Sequence, residues 1–372
     1  MKIGDIEITE YDDYNELSGQ VGDFRLWYRF PKELELRITA DPFLAASLIP
    51  AMYLGEDIEI TDNFSVSPRL RENVKVIQKT YLLWNEFYRE NYGKEFKPIS
   101  VRGGADLSSE SCDESVSFFS GGIDGLDTFL RNIDHIDYLI FVEGIDMQLD
   151  NELYSEAFEE NRRFLAAYGK RLMPVKTNVR FLGHHFGAGW QSCCSGSGLA
   201  SIALAGRFKS CLVASSNSHN YFCPDGSNAI TDPMWGNGYT EIIYEGGEFL
   251  RTEKTRHIAN KAPEALGILR VCWQDKGYNC GSCDKCLRTM VTLKLLGLTA
   301  STLPQLTKKD FETIKSSTYY REDDLIFHKE NLELAQQVND KELVRALRRP
   351  IRRYRTRKLA KDFLKLVRGE LN

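Results

Sequence analysis

The sequence lacks any apolar run long enough to span a membrane, since no window approaches the roughly 18 uninterrupted apolar residues that a spanning helix needs. The best candidate, residues 42–54, is short and alanine-rich, which is typical of a buried helix. The N-terminus has no basic segment followed by an apolar one. No secretory signal is therefore expected, and the cytoplasm is the expected location.

Two common functional motifs are also missing. The chain contains neither GxxxxGK[ST], a phosphate-binding loop, nor HExxH, a zinc-binding helix. Internal repeats and low-complexity tracts are absent as well. These absences exclude the commonest mononucleotide-binding loop, the HExxH peptidases and repeat architectures.

Charge is unevenly distributed along the 372 residues, whose net charge is −5. Residues 341–372 contain twelve Lys and Arg against three acids, a balance of +9, so the remaining 340 residues carry −14. An acidic body argues against a broad nucleic-acid-binding face. The basic tail is either a solvated segment, one docked on the protein's own acidic body, or a site for RNA or another anionic surface.

Residues 1–112 are predicted to form an N-terminal α+β module of unknown role. Alternating apolar and polar residues predict strands over 23–30 and 33–39, and helical periodicity predicts a helix over 68–91. The polar, acidic segment 103–114 is predicted to be a linker.

From residue 113 to about 300, short apolar strands alternate with helices. This rhythm predicts an α/β domain with a parallel sheet and helices on both faces. Residues 301–372 are helical in pattern and increasingly basic, and Pro350 is expected to interrupt any helix there. The sequence leaves open whether the chain forms a homodimer.

The most informative segment follows the apolar strand at 116–119. A hydroxyl, two glycines and an acidic residue come next, before a helix start: Ser120, Gly121, Gly122 and Asp124. Adjacent glycines allow a tight turn that brings backbone N–H groups close to a ligand, and the helix aims its positive end at the same point. The segment therefore predicts a phosphate-binding loop, with an ordinary Ser-Gly-Gly turn as the alternative.

The second strong pattern is a group of four cysteines at C-x7-C-x2-C-x2-C spacing: Cys272, Cys280, Cys283 and Cys286. Four thiolates match the tetrahedral preference of Zn²⁺, and x2 loops let neighbouring sulfurs converge on one ion. The pattern predicts a closed, structural Zn²⁺ site. An iron–sulfur cluster and unliganded thiols are the alternatives.

These motifs together resemble the PP-loop (N-type) ATP pyrophosphatase superfamily, whose loop reads SGG-x-D-[ST]. Over about residues 115–297 the order of motifs is similar to the 7-cyano-7-deazaguanine synthase (QueC-like) branch. In that branch a strand is followed by a D-x-x-x-Y-P-D-type loop, a Lys-bearing helix start and a cysteine site. The counterparts are residues 221–225, Lys254 and the four cysteines.

The resemblance implies an adenylating enzyme that uses ATP and Mg²⁺. Backbone groups of Gly121 and Gly122 and the Ser120 hydroxyl would bind the phosphates, and Asp124 would hold Mg²⁺ or orient the loop. Lys254 or Arg251 would balance charge on the departing pyrophosphate.

Substrate contacts are predicted in the polar segment after the strand at 211–214, from Asn217, Tyr221 and Asp225. For Asp225 a plain turn-forming role is the alternative, and for Lys254 it is a solvated helix position.

The chain also departs from the family pattern. Gly125 stands where the loop hydroxyl is expected, and Thr128, one helical turn on, is a substitute donor. The segment 221–226 reads Tyr-Phe-Cys-Pro-Asp-Gly rather than Tyr-Pro-Asp-Cys-Arg, so the deazapurine substrate does not transfer. The resemblance covers neither end of the chain.

Three further motifs are weaker. Residues 196–201 approach a dinucleotide fingerprint but follow no strand, which favours a tight helix start. His184 and His185 are either metal ligands or polar loop residues. Cys193 and Cys194 are either nucleophilic thiols or buried small residues.

The expected function is that of an ATP-dependent, AMP- and pyrophosphate-forming ligase or amidotransferase-like enzyme. It would adenylate a small-molecule carboxylate or amide for attack by a nitrogen or sulfur nucleophile. One alternative is an RNA-thiolating enzyme whose basic tail grips phosphates. The other is a non-catalytic nucleotide-binding or scaffold protein whose loop lost activity with its hydroxyl.

Overall fold

The computed structural model describes residues 1–107, 113–274 and 276–367. Within them lie ten strands of one mostly parallel sheet and twelve α-helices, so the predicted α/β class is confirmed. The chain forms two compact units, Met1–Gly247 and Glu248–Asn372. None of the described helices is both long and apolar enough to cross a membrane.

The first unit holds the whole sheet. Its strands are β1 (Lys2–Glu10), β2 (Tyr14–Val21), β3 (Phe24–Pro31), β4 (Ile58–Val66), β5 (Val101–Asp106), β6 (Ser115–Phe118), β7 (Tyr138–Glu143), β8 (Arg171–Thr177), β9 (Ser210–Ala214) and β10 (Glu241–Glu245). Their order across the sheet is β10-β9-β6-β7-β8-β3-β2-β1-β4-β5. Strands β10, β9, β6, β7 and β8 are all parallel, as the alternation of strand and helix predicts.

The N-terminal strands extend this same sheet. Strand β3 pairs antiparallel with β8 through Tyr28 with Thr177 and Arg29 with Lys176. Strands β1, β2 and β3 form an antiparallel meander, and β4 and β5 add in parallel beyond β1. The three-part division predicted from the sequence does not coincide with the two units, because this pairing joins residues 1–106 to the α/β strands.

The described residues of the first unit form seven α-helices: α1 (Asp41–Leu54), α2 (Pro68–Leu83), α3 (Asn85–Tyr92), α4 (Ile123–Arg131), α5 (Tyr154–Ala166), α6 (Val179–His185) and α7 (Ser195–Gly206). Helix α1 is buried at every position from Asp41 to Met52, as its alanine-rich sequence predicts. It packs against α7, which is rich in small residues and buried over most of its length.

Two local predictions in residues 1–112 were wrong. The segment 33–39 has no regular structure, although its residues alternate, since it has no strand partner. The segment 103–114, predicted to be a linker, begins inside β5, which hydrogen-bonds to β4. Residues 108–112, including Cys112 and the predicted domain boundary, lie outside the described residues.

The second unit is helical, with α8 (Arg251–Lys261), α9 (Asp284–Leu296), α10 (Lys308–Ser316), α11 (Ile326–Gln337) and α12 (Lys341–Val367). Its core combines α9, α10, α11 and α12, and includes Val291, Phe311, Leu334 and Leu347. Pro350 lies inside α12 without ending it, contrary to expectation. Proline removes one helical hydrogen bond, and burial of Leu347 and Ile351 on either side offsets that loss.

Candidate functional site

The Ser-Gly-Gly loop, residues 120–122, leaves the carboxyl end of β6. Strand β6 lies between β7 and β9, so the chain continues to one side through β7 and β8 and to the other through β9 and β10. The strand order reverses at β6. In open α/β sheets this switch point leaves a crevice at the carboxyl edge, where ligands bind.

The two glycines of the loop have different backbone conformations. Gly121 has φ +74°, a left-handed conformation that favours glycine. Gly122 has φ −81° and ψ 163° and caps α4, with no side-chain hydrogen bond to the helix N-terminus. Gly122 therefore supplies no side chain to cap the first N–H groups of α4.

A buried amide closes the other side of the loop. A Cβ on Gly121 would lie 2.7 Å from Oδ1 of Asn161, which α5 provides. Asn161 is fully buried, and its Nδ2 donates to the Ala157 carbonyl at 2.6 Å. Within the described part of the chain its Oδ1 accepts no hydrogen bond. Sequence reasoning missed Asn161, because only the fold brings α5 beside residue 121.

Three predicted loop residues lie on α4. Asp124 is in the first turn and partly buried. A Cβ on Gly125 would lie 3.4 Å from the Phe118 carbonyl oxygen, an ordinary contact, so helix and strand pack closely here. The Thr128 hydroxyl is buried and has no hydrogen-bond partner among the described residues. The fold thus gathers the predicted nucleotide-binding residues around one turn.

The predicted substrate residues follow β9, whose carboxyl end lies beside that of β6. The Asn217 carbonyl accepts a hydrogen bond from the Tyr244 hydroxyl at 3.4 Å, and the Asn217 amide donates to Cys223 Sγ at 3.6 Å. Tyr221 belongs to a short 3-10 turn. The segment after β9 is therefore held against β10.

Tyr244 links the two groups of predicted residues electrostatically. Burial raises its pKa above the ordinary range, and the carboxylates of Asp225, Asp232 and Asp124 raise it further. Asp124 of the loop and Asp225 of the predicted substrate segment thus act on the same phenol. Both groups lie at one edge of the sheet.

Asp232 is a buried acid beside the predicted substrate segment that sequence reasoning missed. It is fully buried and accepts hydrogen bonds from the Ser227 hydroxyl at 2.6 Å and the Asn228 N–H at 3.1 Å. Burial raises its pKa to about 7. Asp232 therefore fixes the turn after Asp225, and its charge changes near neutral pH.

Contacts of glycine residues hold the turn after Asp225 against the start of α7. The Gly196 N–H donates to the Gly226 carbonyl at 2.6 Å, and the Gly226 N–H donates to the Gln191 carbonyl at 3.2 Å. A Cβ on Gly226 would lie 2.8 Å from that same oxygen. The glycines at 196–198 thus serve helix packing, in agreement with the tight-helix-start interpretation.

The weaker candidates have structural surroundings. Cys193 and Cys194 lie in a π-helical turn, and burial raises the pKa of both thiols, which disfavours the nucleophilic thiolate. His185 ends α6 and its Nε2 lies 2.8 Å from an Asp23 carboxylate oxygen. His184 is its neighbour on the same helix, so the pair is not in a loop.

Lys254 and Arg251 lie on α8 in the second unit. Lys254 is 1% exposed, which rules out a solvated helix position. The Arg251 N–H donates to Glu330 Oε2 at 2.9 Å, and its guanidinium lies 5.5 Å from the Phe327 ring centre. Their role toward a nucleotide stays a prediction.

The four cysteines of the second unit converge as the spacing predicts. Their Sγ atoms all lie within 4.8 Å of one another. The Cys272–Cys283 and Cys280–Cys286 sulfur pairs are each separated by 3.9 Å. A tetrahedral ion with Zn–S bonds of about 2.3 Å places its sulfurs about 3.8 Å apart, whereas a disulfide needs about 2.05 Å. The cluster can hold a metal ion such as Zn²⁺.

Backbone donors point at these sulfurs, as expected of thiolate ligands. The Gln274 N–H donates to Cys272 Sγ at 3.3 Å, and the Cys283 N–H donates to Cys280 Sγ at 3.2 Å. The neighbouring Cys286 thiol lowers the pKa of Cys283, which favours its thiolate form.

Asn279 joins the two cysteine-bearing segments and was not predicted. Its Oδ1 accepts from the N–H groups of Val271 and Cys272, at 2.9 and 3.1 Å. Its Nδ2 donates to the carbonyls of Leu269 and Thr302, at 2.8 and 3.1 Å. Such outer contacts hold metal ligands in position.

Comparison of the chain with protein-family profiles, curated proteins and solved structures finds no match.

Proposed function

We propose that the protein binds ATP at the Ser-Gly-Gly loop and uses it to adenylate a small molecule, releasing pyrophosphate. The observation that carries this proposal is the position of the loop at the carboxyl end of β6, where the strand order reverses. A glycine in the left-handed region and an uncapped helix start at the same point support it.

The proposed roles follow from chemistry at that edge. The N–H groups of Gly121 and Gly122 and the Ser120 hydroxyl bind the ATP phosphates. Asp124 supplies a carboxylate oxygen for Mg²⁺, which prefers oxygen ligands. The buried oxygen of Asn161 is a hydrogen-bond acceptor beside Gly121 that would help to position the loop.

The proposed reaction has two steps. A carboxylate or amide oxygen of the substrate attacks the α-phosphorus of ATP, and the bond from that phosphorus to the bridging oxygen breaks, releasing pyrophosphate. A nitrogen or sulfur nucleophile then attacks the activated carbon, and AMP leaves with the oxygen. The turn containing Asn217, Tyr221 and Asp225 is proposed to bind the substrate, because it lies at the same sheet edge as Asp124.

The cysteine cluster is proposed to be a structural Zn²⁺ site. Four sulfurs leave no open position for a reacting group. Cys283 caps α9 and Cys286 lies in its first turn, so a bound ion fastens the 272–274 segment to that helix.

Gly122→Val tests ATP binding without straining the backbone, because φ at this position is one that any residue adopts. We expect isothermal titration with Mg²⁺–ATP to show at least a tenfold loss of affinity and circular dichroism to show an unchanged fold. Gly267→Val is a matched control in the second unit, since the nearest atom to a Cβ there lies 3.9 Å away. Equal ATP affinity of Gly122→Val and the parent would reduce the loop to a structural turn.

The nucleotide product tests the reaction class. Incubation with ATP, Mg²⁺, a set of small-molecule carboxylates and amides, and ammonium as the nucleophile should yield AMP and pyrophosphate in equal amounts, and Asp124→Ala should abolish this turnover. ADP and phosphate as the products would refute adenylation while leaving nucleotide binding intact.

A further inference from the structure

Helix α12 presents one continuous outward stripe whose chemistry changes along its length. Residues spaced four, three, four, four and three apart lie on one helix face. The members of this stripe are Arg348, Arg352, Arg355, Leu359, Phe363 and Leu366. All six are exposed, and Leu359, Phe363 and Leu366 are 70%, 64% and 62% exposed. Three cations are thus followed by three large apolar side chains.

The inner face of α12 is already occupied. Leu343, Ala346 and Leu347 are buried in the core of the second unit. Arg353 donates to the carbonyls of Ser316 and Ser317, at 2.9 and 2.6 Å, at the C-terminus of α10. Part of the basic tail therefore docks on its own unit, as one interpretation of the sequence expected. Deleting residues 341–372 would remove core residues of the second unit. The function of the basic tail is therefore tested with point variants.

The arginines of the outward stripe differ from Arg353, which docks on α10. In the described part of the chain, the structure gives no salt bridge to Arg348, Arg352 or Arg355, whereas Lys358 reaches Glu322 at 3.2 Å. All three line a groove of about 350 Å³ between α11 and α12, together with Lys329 and Glu333. The groove is cationic on its α12 side and open to solvent.

We infer that the outward stripe of α12 binds an anionic lipid surface. Exposed leucine and phenylalanine side chains match the acyl boundary of a bilayer, and arginines on the same face match phosphate headgroups. From Arg348 to Leu366 the stripe is about 27 Å long, at 1.5 Å per residue. This length lies along the membrane plane, so the helix rests on the surface.

The charge pattern favours lipid over two other occupants. Residues 352–367 hold seven Lys and Arg against Asp362 alone, so two copies of the stripe would bring like charges together. RNA matches the arginines but leaves the apolar half without a partner, since phosphate contacts are electrostatic. An anionic bilayer offers phosphate groups to the arginines and acyl chains to the apolar side chains.

The test is flotation of the full chain with phosphatidylcholine vesicles containing about 30% phosphatidylglycerol, beside pure phosphatidylcholine vesicles. The parent should bind the mixed vesicles and not the neutral ones. Phe363→Ser with Leu366→Ser should weaken binding at least tenfold. Leu83→Ser, a matched control on α2 at a position that is 83% exposed, should bind like the parent.

Arg352→Gln with Arg355→Gln should weaken binding about 25-fold and flatten its salt dependence, since each charge near an anionic surface contributes about fivefold. Unchanged melting temperatures establish that all variants fold. Equal binding to neutral vesicles would overturn the inference. Failure of the parent to bind the mixed vesicles would also overturn it. A dimer in light scattering that dissociates in the Phe363→Ser, Leu366→Ser variant, or RNA binding that is lost in the arginine variant, would then identify the other occupant.

Discussion

The amide of Asn161 lies so close to Gly121 that a Cβ on the glycine would stand 2.7 Å from its oxygen. Gly121→Ala therefore meets two obstacles, this contact and the left-handed φ of +74°. The φ alone costs about 1–2 kcal/mol for an L-residue. We expect the free energy of unfolding, measured by urea denaturation, to fall by at least that much.

Asn161→Ala separates the two contributions. In that background Gly121→Ala should cost about 1 kcal/mol less, because the contact is gone while the backbone strain remains. If Gly121→Ala lowered the free energy of unfolding equally in both backgrounds, the Asn161 side chain would be able to move aside without cost. A double-mutant cycle by urea denaturation measures the difference.

Gly125→Ser and Thr128→Val test where the loop hydroxyl comes from. Gly125→Ser should be tolerated, since a Cβ there makes only a 3.4 Å contact. Thr128→Val should keep the melting temperature, because the buried hydroxyl has no partner to lose among the described residues. It should also weaken Mg²⁺–ATP binding at least tenfold by titration calorimetry. Unchanged affinity would remove Thr128 from the proposed site and leave the glycine loop in place.

Cys283→Ser should remove a ligand from the four-cysteine cluster. Elemental analysis should give close to one zinc per parent chain and a small fraction of that in the variant. Stability should drop by several kcal/mol, because metal binding is coupled to folding. Cys223→Ser, outside the cluster, is the matched control. Full zinc content in Cys283→Ser would refute the assigned ligand set.

Asp232→Asn should make stability less dependent on pH. An unfolded Asp ionises near pH 3.9, whereas the folded carboxyl ionises near pH 7. Below about pH 4 both states hold the proton. As the pH rises from 4 to 7, only the unfolded state ionises, so the parent loses stability, and above about pH 7 the loss is complete.

The Asn variant lacks this loss, so between pH 4 and pH 8 it should gain about 2–4 kcal/mol relative to the parent. Urea denaturation at both pH values measures the gain, and Asp134→Asn, at an exposed position, controls for the substitution itself. A constant difference between Asp232→Asn and the parent across this range would contradict a buried, protonated carboxyl.

Local pattern was sufficient for the elements around the candidate site. The apolar run at 116–119 predicted β6, and the helix start after Asp124 predicted α4. The cysteine spacing predicted the thiolate cluster, because cysteines separated by two residues can bring their sulfurs within a few ångströms of one another. These signals are short-range in sequence.

What could not be predicted depends on distant contacts. The pairing of β3 with β8 joins residues about 150 positions apart, so no local pattern announces that the N-terminal strands extend the α/β sheet. Asn161 and Asp232 look like ordinary polar residues until the fold buries them. A strand pattern at 33–39 failed for the converse reason, since alternation alone does not supply a neighbouring strand.

The β3–β8 junction also bears on how this protein can be divided for experiments. Strand β8 hydrogen-bonds to β7 on one side and to β3 on the other. A fragment starting near residue 113 would expose the β8 backbone N–H and carbonyl groups that now face β3. Unprotected edges of this kind recruit further strands and promote aggregation. The N-terminal strands therefore protect the β8 edge of the parallel sheet from pairing with strands of other molecules.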